Sequence, residues 1–184
     1  MRIFNGLLAM ILLALSFSCS NQKKSYDNYN EELDDIVMGI YFGMEKQDFL
    51  DHCWDLNQEG KTAHGTIGNM VMYVDSLNFE SKAIVNFYPK FEKDAISEMP
   101  FIFYYNAWAP WNSHELNQED LYQETIKFFE NKYDTVLEKK EAPNGKHLHF
   151  KVVGPLMIRV YKDTDEMKVN ADVRNYAYME KNKQ

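Results

Sequence analysis

The pattern that most constrains this fold is a change of period, and the sequence makes that change twice. Across 44–57 the residues Phe49, Leu50, Cys53, Trp54 and Leu56 fall towards one side of a helix. Asp48, Asp51 and Asp55 fall towards the other, and Gly60 is placed to end it. Three runs rich in β-branched and aromatic residues follow at 69–74, 83–88 and 101–105, with Pro89 and Pro100 at strand ends. A second helix is expected to start at Asn117, a capping residue, with Glu119 and Asp120 in its first turn. Tyr122, Ile126, Phe129 and Tyr133, broadened by Leu121 and Phe128, give it a core-facing stripe. Strand-like runs return at 135–139 and 147–153, joined by Pro143-Asn144-Gly145, and at 156–161 and 167–173, joined by a polar turn. In the last run Met167, Val169, Ala171 and Val173 alternate with Lys168, Asn170, Asp172 and Arg174, as a sheet with one wet face requires. The expectation is an α+β domain over 36–184. Its two α-β-β-β halves share an antiparallel sheet and pack both helices on one face.

The amino terminus reads as an address. Arg2 supplies a positive start, and Leu7 to Leu15 is an apolar run of nine residues, against the roughly 20 needed to span a bilayer. Small residues then lead to Cys19. Leu15-Ser16-Phe17-Ser18-Cys19 resembles the lipobox of bacterial lipoproteins, although its Leu stands four places before the Cys and not three. That resemblance implies a signal peptide over 1–18 and a lipid on Cys19, which would tie the protein to the membrane of a bacterial envelope. Residues 20–30 are polar and read with their neighbours as a flexible tether over 19–35. Lys23 and Lys24, with no acidic cluster, follow Cys19, so a periplasm-facing orientation is expected.

Charge and cysteine usage narrow the function. The 184 residues carry a formal charge of −8, which argues against a nucleic-acid binder and against adhesion to an anionic bilayer by charge alone. If Cys19 carries lipid, Cys53 has no partner for an internal disulfide and is expected to be a small, unreactive core residue.

The segment Phe42-Gly43-Met44-Glu45-Lys46-Gln47-Asp48-Phe49 resembles the opening helix of small envelope lipoproteins of the outer-membrane assembly and β-lactamase-inhibitor-protein type. Glu45 stands where those have a capping hydroxyl, and Gln47 replaces an acid. His52-Cys53-Trp54, Leu56-Asn57 and Ala107-Trp108-Ala109-Pro110-Trp111 are similar to a group of uncharacterised bacterial lipoproteins. The first likeness implies an α+β module that docks a protein; the second implies no activity.

Motifs for catalysis are missing: the chain has no nucleophile elbow, phosphate loop, dinucleotide fingerprint or zinc-protease helix. His147 and His149 share a strand face and make half a metal site, but no third ligand is evident, so neither metal nor cofactor is expected. The segment 101–111 is harder to account for by packing alone, because it is aromatic on both faces and ends in a stretch stiffened by Pro110. Tyr104, Tyr105, Trp108 and Trp111 are therefore the candidate binding residues. Three readings stay open. One is a non-enzymatic protein-binding or assembly module, another a lipoprotein that stacks a glycan or small ligand on these rings. In the third, both tryptophans fold back over the core as a lid between the two halves; a hydrolase is disfavoured, because the residues show no active site.

Overall fold

The computed structural model describes residues 31–142 and 147–179. The signal segment, Cys19 and the Pro143-Asn144-Gly145 turn lie outside the described residues. A 3-10 turn at Glu31–Asp34 leads into a hairpin, β1 (Asp35–Val37) and β2 (Ile40–Tyr41). Then come α1 (Lys46–Gln58), β3 (Ala63–His64), β4 (Val71–Asp75), β5 (Ala83–Phe87), β6 (Lys90–Glu92) and β7 (Ala95–Tyr105). The second half is α2 (Gln118–Lys132) followed by β8 (Glu138–Glu141), β9 (His147–Val153), β10 (Leu156–Lys162) and β11 (Val169–Asn175).

The architecture is α+β, as expected, but both halves hold more than the three strands that an α-β-β-β plan implies. Each half contributes four strands to the main sheet, in the order β3-β4-β5-β7-β11-β10-β9-β8, and β6 also pairs with β7. The extra strands in the first half, β3 and β6, have two and three residues, too short for any period to show. Each half meanders from an outer edge inwards, and their last strands, β7 and β11, meet antiparallel at the centre. Pro100 sits on β7 between the stretch paired with β5 and the stretch paired with β6, so it lies inside a strand and not at its end. Both edges are guarded: β3 is minimal, and all four residues of β8, Glu-Lys-Lys-Glu, are exposed.

Strand alternation sorts the side chains as period two requires. Phe101, Phe103 and Tyr105 of β7 and Val169, Ala171 and Val173 of β11 are buried on one face. There α2 lays down Leu121, Tyr122, Ile126 and Phe129. Phe129 meets the rings of Phe101 and Phe103 edge-on at 5.6 and 6.0 Å. Asn117 caps this helix as expected, its side chain accepting from the Asp120 amide. Gln118 fixes the same end further: its Nε2 lies 2.7 Å from the carbonyl of Lys168 and 3.0 Å from that of Asp165. The opposite sheet face is stitched by charge. Arg159 forks onto Asp172 at 2.8 and 2.9 Å, Arg174 pairs with Glu98 at 3.0 Å, and Lys90 reaches Glu98 at 2.9 Å.

Helix α1 departs from the sequence reading. Phe49 and Leu56 are buried and Cys53 is half-buried, but Leu50 and Trp54 are exposed. Only part of the apolar side is covered: Phe49 reaches Tyr88 and Phe91, whereas Trp54 is 66% exposed. The domain also starts earlier than residue 36. Asp34 accepts the Phe42 amide on its carbonyl and Asn175 Nδ2 on its carboxylate, and Asp35 pairs with Lys132. Gly43 seals this junction with φ +87°, where a Cβ would fall 2.6 Å from the Tyr178 ring.

Candidate functional site

The four candidate aromatics are not brought together. Alternation along β7 divides the first two. Tyr105 points inwards and is 4% exposed, and burial beside Glu124 drives its phenol pKa well above the usual range. Tyr104 points to the outer face, half-buried, with its hydroxyl 2.9 Å from that of Thr66. Tyr105 is therefore a core residue and is withdrawn from the binding set.

Past β7 the chain turns so that Trp108 and Trp111 part company. Trp108 folds back against the core, half-buried, with its amide donating to the Tyr105 carbonyl at 3.3 Å. The lid reading therefore holds for Trp108. Trp111 stands in a 3-10 turn, Pro110–Asn112, and is 83% exposed. The turn is clamped by Asn112, whose Oδ1 accepts the Ala109 amide at 2.7 Å and whose Nδ2 donates to the Ala107 carbonyl at 2.9 Å. Pro110 limits the backbone further, so the exposed indole is carried on a rigid base.

A fifth residue, missed in the sequence, stands at the same end of the sheet. Leu77 is 92% exposed on the β4–β5 turn. Asp75 builds that turn by accepting the amides of Leu77 and Asn78 on one carboxylate oxygen, at 2.9 and 3.0 Å. Phe79 goes inwards to stack on Phe128, which leaves Leu77 pointing out. The legible signal was Asp75-Ser76-Leu77-Asn78, an Asx-type turn with a large apolar residue where a polar one is usual. Register places this turn beside the Trp111 loop, because Asp75 pairs with Ala83, Ala83 pairs with Tyr105, and the Asn106 amide donates to the Lys82 carbonyl at 2.8 Å. The β10–β11 turn joins them, since Val169 pairs with Phe103. These three neighbouring connections share one end of the sheet, the loop end, where β8 also finishes and β9 begins at the outer edge, Glu141 facing His147. The chain enters at the other end, where Asp34 bonds Asn175 at the finish of β11.

Three groups able to do acid–base or nucleophilic chemistry, His52, His149 and Cys53, are tied into packing, while His64, His114 and His147 are exposed. His52 Nε2 lies 2.8 Å from the Met38 carbonyl. His149 Nδ1 is 2.8 Å from the Tyr122 hydroxyl, and burial, helped by Lys139, lowers its pKa. Burial raises the Cys53 thiol to about 11, which leaves very little thiolate near neutrality. Among the described residues no three His, Cys, Asp or Glu side chains converge as metal ligands, and no helix is long and apolar enough to cross a membrane. No protein-family model matches the chain, and no curated protein and no solved structure matches it significantly.

Proposed function

We propose that this chain is a bacterial envelope lipoprotein, anchored through lipid on Cys19, whose domain binds a protein partner and catalyses nothing. One observation carries the binding reading: Leu77 and Trp111 are both exposed on clamped turns that strand register brings to one end of the sheet. Scattered exposed hydrophobes are ordinary, but two large ones on rigid neighbouring turns form the preorganised anchor that interfaces use. Polarity along the sheet supports the same reading. Residues 20–30 would join the lipid to the entering end, and a stretch of eleven residues spans at most about 40 Å. The loop end is then the end farther from the point of attachment, free to meet a partner. No catalytic role is proposed, because His52, His149 and Cys53 serve the fold and the exposed His64, His114 and His147 join no converging cluster among the described residues. A glycan-stacking role has less support, since it leaned on Trp108 and Tyr105 lying beside Trp111.

Photo-crosslinking amino acids placed singly at 77, 111 and 136 test the reading in cells. Val136 is 71% exposed and follows α2, whose Lys132 pairs with Asp35, so it lies nearer the entering end and serves as the control. Positions 77 and 111 are expected to capture one common envelope protein and position 136 to miss it. Cys19→Ala should abolish fatty-acid labelling and release the protein from membranes. Equal capture from all three positions, or none from 77 and 111, would reject the docking reading.

A further inference from the structure

We infer that the partner presented to the loop end is a cationic protein segment carrying apolar side chains; this rests on the docking reading above. The three neighbouring connections concentrate negative charge, whereas the outer β8 edge of the same end carries Lys139 and Lys140 with Glu141. Segments 75–82, 106–120 and 162–168, thirty residues in all, hold eight carboxylates against three lysines, a net −5. The other 154 residues share the remaining −3. Part of this charge is structural: Asp75, Asp163 and Asp165 accept amides within their own turns, and Glu119 pairs with Lys162. Glu80, Glu115, Asp120 and Glu166, in the same three segments, remain exposed.

Two projecting hydrophobes inside a negative field set the chemistry of what can cover them. Nucleic acid and anionic lipid are repelled. A bare metal ion finds no converging ligand set among the described residues and has no use for the indole or the Leu77 side chain. A segment with Lys or Arg beside apolar residues answers both features. With a Debye length of about 8 Å at physiological salt, these carboxylates steer a segment that comes close to the loop end, and the hydrophobes hold it.

Biotinylated fifteen-residue peptides provide the probes: an amphipathic Lys/Leu peptide, its Glu/Leu counterpart, and a Lys/Ser version. Each is mixed with the full chain in nanodiscs of zwitterionic lipid, and crosslinking from position 77 is read. The Lys/Leu peptide should crosslink; the Glu/Leu peptide should give about tenfold less and the Lys/Ser peptide about fivefold less. Glu115→Gln with Glu166→Gln should cut the Lys/Leu yield about threefold, and raising the salt to 0.5 M should do at least as much. Asp51→Asn with Asp55→Asn, which removes the same charge from α1, should change it by less than about 1.5-fold. Equal yields from the Lys/Leu and Glu/Leu peptides, no yield from Lys/Leu, or equal losses from the two double variants would overturn the inference. In-cell capture at 77 and 111 that persists undiminished in the Glu115→Gln, Glu166→Gln protein would leave the docking reading standing and remove only its cationic partner. Absence of in-cell capture would remove both.

Discussion

Helices α1 and α2 have similar amphipathic sequences and end up in different situations. Helix α2 lies over the centre of the sheet, where the two halves meet, and buries Leu121, Tyr122, Thr125, Ile126 and Phe129. Helix α1 buries only Phe49 and Leu56, and its Trp54 is 66% exposed. Their ends differ as well. Asn117 caps α2, whereas Glu45 makes no side-chain cap to α1 and contributes only its carbonyl, to the Phe49 amide. An apolar stripe states what a helix could bury. What it does bury depends on how much of the neighbouring surface is apolar and within reach.

Deleting the central ring of each helix should separate the two most. Phe129→Ala opens a hole among four aromatic rings and is expected to cost about 4–5 kcal/mol in chemical denaturation, while Phe49→Ala, with two ring partners, should cost about 3. Equal costs would mean that α1 is docked as firmly as α2. The half-buried thiol on α1 gives the next effect. With its pKa raised to about 11, Cys53 should be alkylated at pH 8 at least about tenfold more slowly in the folded protein than in urea. Fast native labelling would show that α1 opens locally.

Capping offers a smaller and opposite pair of changes. Asn117→Ala should destabilise by about 1 kcal/mol, and Glu45→Ser should stabilise by about 0.5–1 kcal/mol by supplying the cap that α1 lacks. Smallest of all, Trp54→Ala and Trp111→Ala should each shift stability by less than about 0.5 kcal/mol, because neither ring fills a core space. For Trp111→Ala, a loss of several kcal/mol would instead return that residue to the core with Trp108.

Much of the architecture could be read directly. Asn117 as a cap, the stripe through Tyr122, Ile126 and Phe129, and the in-out alternation of 169–174 are set by neighbours a few residues apart. The candidate site was legible only in part. Trp111 was found, but Tyr105 was included because its face could not be assigned until β5 and β11 flanked β7. Leu77 was passed over because a single apolar residue in a polar turn carries no period. Trp54 was placed inside for the converse reason, since its spacing is correct and the surface it would need is absent.

By itself the sequence determined the kinds of elements, their order, the wet and dry faces of most strands, and the excess of negative charge. These follow from backbone periods and local capping, which act over one to four residues. Tertiary structure alone decided that Trp108 turns inwards while Trp111, three residues on, is held outwards by the Asn112 clamp. It also decided that Leu77 stands beside that loop, 34 residues away in sequence, and that acidic turns from three parts of the chain share one end of the sheet. Burial and proximity depend on which strands become neighbours, and pairing between distant segments leaves no local period to read.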